Sequence, residues 1–112
     1  MKYWPRYIGD WKKKTSHLSL LEKGVYTELL DFCYATECGL PLEFDRILAV
    51  CGARSALEIR AVEKVLGAHF VKNGQEFFNP RAKEEIEKWK RKSTKAAESA
   101  KAKWSKSETG EP

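Results

Sequence analysis

Apolar residues recur at helical spacing at Leu21, Val25, Leu29 and Phe32, and Leu30, Cys33 and Tyr34 widen the same face. Ser19 and Glu22 stand at capping-box spacing. The Ser oxygen accepts the amide hydrogen three residues on, and the Glu carboxylate reaches back to the Ser amide. The pattern predicts a helix from there to about Glu37. Gly39 is expected to take the left-handed position after it, and Pro41 bars continuation. Gly24 falls inside this helix, where Gly costs about 1 kcal/mol against Ala. A close approach by another element is the expected reason.

Asp45 opens a second, short helix over Arg46–Cys51 that Gly52 closes. Ser55 and Glu58 repeat the capping box and start a longer helix to about Ala68, with Ile59, Val62, Val65 and Leu66 apolar. A short helix, a Gly-containing turn and a longer helix make a helix-turn-helix pattern. Next, Phe70–Lys72 and Phe77–Phe78 flank Asn73-Gly74, the signal for a hairpin with a type I′ turn. A hairpin directly after a helix-turn-helix is a wing. Asn79 suits an N-cap and Pro80 the first position of a last helix.

Ile86, Trp89, Ser93, Ala97, Ala100 and Trp104 form a loose stripe on that last helix. Its first turns are expected to dock on the core through Ile86 and Trp89. Past about Lys92 the stripe thins, which fits a projecting helix, an oligomer contact or a segment that orders on binding. Residues 107–112 are expected to be unstructured. At the other end, residues 3–11 read as an extended aromatic lead-in or short edge strand, and Lys12–Lys14 as a solvated loop or a phosphate contact. The fold class is therefore mainly α with a small β-hairpin: a winged helix-turn-helix over 1–92, with a basic C-terminal helical extension and tail over 93–112.

Charge changes this picture more than composition does. The net of +5 is uneven: residues 1–80 carry 11 Lys/Arg against 10 Asp/Glu, and residues 81–106 carry 10 against 4. Attraction to nucleic acid is thus expected mainly in the last helix. No apolar run is long enough for a membrane span, and MKYWPRYIGD lacks the apolar core of a signal peptide. A cytoplasmic protein is expected. Cys33, Cys38 and Cys51 show no CxxC spacing, so they read as reduced thiols, with Cys33 and Cys51 as small hydrophobes. No metal or cofactor is expected.

Catalytic patterns are missing from the sequence. It has no Gly-rich phosphate loop, no HExxH and no GxSxG. His17 beside Asp10 or Glu22 reads as a packed His near a helix cap rather than an acid/base pair. Binding remains. The longer helix of the helix-turn-helix offers Arg54, Arg60 and Lys64, the wing offers Lys72, and the last helix offers Lys88, Arg91, Lys92 and Lys95 beside Lys90. Glu58 and Glu63 offset the first set; Glu58 is expected to cap, and Glu63 to pair with Lys64 or Arg60. Lys101, Lys103 and Lys106 follow, and Trp104 offers a ring to an unpaired base.

Trp4-Pro5, Gly9-Asp10-Trp11, Thr15-Ser16-His17-Leu18-Ser19, Gly24-Val25-Tyr26, Tyr34-Ala35-Thr36-Glu37 and Leu40-Pro41 occur in this order. In these motifs, spread over roughly residues 3–92, the chain resembles the phage and prophage YdaU-like proteins of unassigned biochemistry. Trp11 departs from many members, which carry another aromatic there. The resemblance implies a winged-helix domain linked to phage DNA replication and implies no reaction. The expected function is DNA binding, duplex or single-stranded, in replication initiation, by origin binding or replisome organisation. Two alternatives remain open at this point. One is a protein–protein module using Tyr3, Trp4, Tyr7 and Trp11 on a replication partner, a host partner or a second copy. The other is a small transcriptional regulator.

Overall fold

The computed structural model describes residue 1 and residues 3–109, with side chains as far as Lys95. The described residues form five helices and one hairpin: α1 (Ile8–Thr15), α2 (Leu20–Thr36), α3 (Phe44–Cys51), α4 (Ala56–His69), β1 (Val71–Lys72), β2 (Phe77–Phe78) and α5 (Pro80–Thr109). The protein is mainly helical with a small antiparallel hairpin.

Both capping boxes form. The Ser19 hydroxyl accepts from the Glu22 amide at 3.1 Å while Glu22 Oε1 accepts from the Ser19 amide at 2.7 Å. Ser55 and Glu58 repeat this at 3.2 and 2.8 Å, fixing the start of α4. Between α3 and α4, Gly52 takes φ +71°, the left-handed conformation that lets the chain turn after α3. Helix α2 packs against α3, α4 and α5. Leu29, Leu40, Ile47, Val62 and Val65 are fully buried in the core that results.

Several sequence expectations need correction. Residues 8–15 are helical, not extended, and Lys12–Lys14 belong to the last turn of α1 rather than a loop. Asp10 near the start and three lysines near the end oppose the helix dipole favourably. The left-handed residue after α2 is Glu37, at φ 57°, not Gly39. Its strained position is held from two sides: Lys90 Nζ donates to the Glu37 carbonyl at 2.9 Å, and the Met1 ammonium lies 3.1 Å from the Glu37 carboxylate. Gly39 is needed for space instead. A Cβ there would lie 2.5 Å from the Phe77 carbonyl oxygen, and its amide donates to Glu76 Oε2 at 2.9 Å.

Gly24 has no such neighbour; a Cβ added there meets nothing within 4 Å. The expected close approach does not exist among the described residues. The hairpin turn also differs from type I′. The Asn73 amide donates to the Glu76 carbonyl, and Asn73 Oδ1 accepts from the amides of Gln75 and Glu76, both at 2.8 Å. An Asn side chain that closes a four-residue turn removes the need for positive φ, and Gly74 does not adopt it. In register, Val71 faces Phe78 and Lys72 faces Phe77. Phe77 also pairs with Leu40 on its other side, through N–H···O bonds of 2.7 and 3.0 Å.

Helix α5 starts at the expected cap: Asn79 Oδ1 accepts from the Ala82 amide at 3.0 Å. Asn79 lies against Tyr26, Glu85 against Tyr34 and Lys90 against Glu37, so α5 runs beside α2 in the same direction and passes its end at Lys90. Ala82 and Ile86 are buried, but Trp89 is 41% exposed and is not the core residue expected. It shares the side of Ala82 and Ile86, but α2 ends at Thr36 and gives it little to pack on. The helix continues to Thr109, past the point at which the tail was expected to lose structure. Between Pro80 and Gly110 the sequence holds no Gly or Pro to stop it. The expectation for residues 110–112 lies outside the described residues, as do the side chains of Lys101, Lys103, Trp104 and Lys106.

The two glycines give opposite expectations. Gly24→Ala should raise stability by about 1 kcal/mol, the propensity difference in an open helix. Gly39→Ala should lower it by about 1–3 kcal/mol, because a backbone oxygen must move. Denaturant unfolding of the two variants checks this, and a destabilised Gly24→Ala would reveal a packing role that the geometry denies.

Candidate nucleic-acid interface

The basic residues fall into two groups. Arg54 precedes α4 in the turn, and Arg60 lies on the exposed side of that helix. Glu58, expected to cap, does so: Oε1 accepts from the Arg54 amide at 3.2 Å as well as from Ser55, which saturates the start of α4 with its own carboxylate. Those hydrogen bonds, Ser55 first, hold the Glu58 carboxyl below the usual range. Lys64 does not pair with Glu63 as expected. It reaches across to α2, with Nζ 3.0 Å from Glu22 Oε2, because it stands on the flank of α4 that faces α2. Among the α4 candidates, Arg54 and Arg60 are therefore the cations without an ion pair among the described residues. Lys72, on β1, holds its ammonium 5.7 Å from the Phe77 ring.

The second group is on α5. Lys88, Arg91, Lys92 and Lys95 are all exposed, and their i, i+3, i+4, i+7 spacing sets them on one stripe. Ile86 lies on the opposite side, against the core. Lys90 is not part of the stripe; its hydrogen bond to Glu37 makes it an anchor. The basic residues thus stand on two helices, α4 and α5, with Lys72 on β1.

Of the four lead-in aromatics, two turn inward. Trp4 stacks on Tyr34 at 4.8 Å between centroids and donates its indole N–H to Asp31 at 2.7 Å. Trp11 stacks on Tyr26 at 5.2 Å. Tyr26 stacks in turn on His69 at 4.4 Å, and His69 meets His17 at 5.4 Å. The lead-in thus joins a row of rings across α2. Tyr3 and Tyr7 remain outside, 83% and 57% exposed.

Asn79 is the residue whose reach the sequence understated. Beyond capping α5 it donates to Tyr26 Oη at 3.2 Å and to the His69 carbonyl at 2.9 Å. The Asn-Pro pair signalled only the cap. Arg81 was likewise missed: it bridges Asp10 at 3.1 Å and Glu85 at 3.2 Å, tying α1 to α5.

Two of the three thiols are shielded. Burial pushes the Cys33 thiol up to about 12, and burial also raises Cys51. Among the described residues, no three His, Cys, Asp or Glu side chains are placed to hold a metal ion. No described helix is long and apolar enough to cross a membrane.

These features define a small, mainly helical protein with a two-stranded hairpin and basic surfaces on two helices. The chain belongs to the family described as protein of unknown function DUF1376, whose model matches residues 2–87. No curated protein and no solved structure matches it.

Besides Glu58, two groups shape the response to acid. His69 Nε2 is buried without a hydrogen-bond partner, and burial first, then His17 and Lys14, push its pKa below the ordinary 6.5. The unfolded chain therefore takes up this proton more readily, and stability should fall as the pH drops below about 6.5. Glu22 acts lower on the scale. The Ser19 amide foremost, then Lys64, hold its carboxyl at about 2 against an ordinary 4.5. Its contribution is complete above pH 4.5 and is lost as the pH falls through about 2. Thermal melts across pH should show both steps. His69→Phe, which keeps a ring beside Tyr26, should remove the upper one, and Glu22→Gln should reduce the lower one, which Glu58 shares.

Proposed function

We propose that this protein is a DNA-binding winged-helix protein of phage or prophage origin, acting in the cytoplasm of its host in the initiation of DNA replication. It acts there as an origin binder or replisome organiser. The observation that carries the reading is the order of elements from α2 to α5. A helix leads to the Leu40 bridge, then to two helices joined by the Gly52 turn, then to a hairpin whose strand β2 pairs with both β1 and Leu40. A winged helix is built in this way, with the bridge as the first strand of the wing sheet. The resemblance of the Trp4-Pro5 to Leu40-Pro41 motifs to YdaU-like phage proteins supports the link to replication. That link is an analogy between families, and a fold alone assigns no role.

In this reading α4 enters the major groove, with Arg54 and Arg60 at the bases or phosphates nearby and Lys72 of the wing at the backbone. The α5 stripe of Lys88, Arg91, Lys92 and Lys95 supplies sequence-independent attraction. Four phosphate contacts correspond to a log–log salt slope of about −3.6 on duplex DNA.

Fluorescence anisotropy of a labelled duplex tests the reading. Replacing the four stripe cations by Gln should remove most of the salt dependence. Arg54→Ala/Arg60→Ala should weaken duplex binding by about tenfold or more with the slope changed by about two. Failure of the full chain to bind duplex at low salt would end this proposal.

A further inference from the structure

We infer that the lead-in and α1 form a second binding surface, for single-stranded DNA, with Tyr3 and Tyr7 as base-stacking rings and Arg6, Lys12, Lys13 and Lys14 as phosphate contacts. The surface adjoins the C-terminal end of α4 at Lys14 and is distinct from the other end of that helix, where Arg54 and Arg60 lie. Its assignment to DNA rests on the reading above.

The segment divides its rings. Trp4 and Trp11 are spent inside the fold on Tyr34 and Tyr26. Tyr3 and Tyr7 face outward, and Ile8 beside them is 72% exposed. Large rings held at the surface mark an interaction site. Tyr7 is also held in place. The Arg81 guanidinium lies 5.0 Å from its ring centroid, and Asp10 and Glu85 clamp that guanidinium. Arg6 in turn lies 5.0 Å from the centre of Trp11. Rings and cations fixed before binding lose less freedom when a ligand arrives.

Charge selects the ligand. Arg6, Lys12, Lys13 and Lys14 are all exposed, and Asp10, the acid among residues 3–15, is paired with Arg81. Arg6, Tyr7 and Lys14 border one small cleft of about 40 Å³ beside Trp11. Glu85 also lines that cleft, where Arg81 pairs with it, and Glu84 borders the neighbouring cleft beside Tyr7. A strand on this surface runs past Arg6 and Lys14, away from Glu84. The partner must offer flat apolar faces together with closely repeated negative charge. Unpaired bases on a phosphate backbone offer both, whereas a duplex keeps its base faces stacked away.

The test is anisotropy of labelled oligothymidylate and of labelled duplex with the full chain, under identical salt. Tyr3→Ala/Tyr7→Ala should weaken oligothymidylate binding by about tenfold or more and leave duplex binding unchanged. Tyr3→Phe/Tyr7→Phe, which keeps the rings, should bind as the parent does. Lys12→Gln/Lys13→Gln/Lys14→Gln should reduce the salt slope on the single strand by about two. Arg54→Ala/Arg60→Ala should do the reverse, losing duplex and keeping oligothymidylate, so the two readings fail separately. Should the double Ala variant not fold, Tyr3→Ala alone, at a residue 83% exposed, gives the same readout. The inference is overturned if the parent chain does not bind oligothymidylate, or if the Ala variants bind it unchanged. Parallel loss on single strand and duplex overturns it as well, and tighter binding of oligouridylate overturns the assignment to DNA.

Discussion

One buried amide ties the end of α4 and the start of α5 to the middle of α2. Asn79 caps α5 through its oxygen, while its nitrogen bonds the Tyr26 hydroxyl of α2 and the last carbonyl of α4 at His69. Each bond serves a group that would otherwise be unsatisfied where water is scarce. Together they fix where the hairpin begins, because β1 leaves directly from the end of α4, and where it ends, because Asn79 follows β2. The hairpin is pinned at both feet by one side chain. Gly39 then sets how close its inner strand comes to α2, since only a residue without Cβ lets Phe77 and Glu76 approach. The aromatic row from Tyr34 through Trp4, Trp11 and Tyr26 to His69 closes the other side of the same junction.

Local rules made the helices legible. Ser19/Glu22 and Ser55/Glu58 need only neighbouring atoms, and both boxes form as their spacing implies. Gly52 and Asn79 are equally local. The readings that changed depend on contacts distant in sequence. Glu37 takes the left-handed position because Lys90 and the amino terminus stabilise it, and neither is visible from residues 36–41. Gly39 answers to the hairpin and Lys64 to Glu22. The Asn73 turn was misread for another reason: Asn-Gly suits two geometries, and the one used here depends on the Asn side chain rather than on backbone handedness. The basic residues were legible as a set, but the use of Lys64 and Lys90 inside the fold was not. Lys90 differs from Lys88 and Lys92 only in the side of the helix it faces.

The charge of the molecule is organised by what has already been neutralised. Glu58 is absorbed by the start of α4, Glu22 by Ser19 and Lys64, and Asp10 and Glu85 by Arg81. These acids contribute to folding and little to the outward field, whereas Arg54, Arg60 and the α5 stripe face solvent.

The passage of α5 beyond the end of α2 has a mechanical meaning. Pro80 to Lys90 is fastened along α2, and Lys90 is the last tether among the described side chains. The residues from there to Thr109 extend as a helical arm of about 28 Å. Such an arm amplifies motion at its root, so a tilt of about ten degrees at Lys90 carries its tip about 5 Å, roughly one helical pitch. The single hydrogen bond from Lys90 to Glu37 thus works as a fulcrum, and small rearrangements at the end of α2 become large displacements of whatever the arm carries.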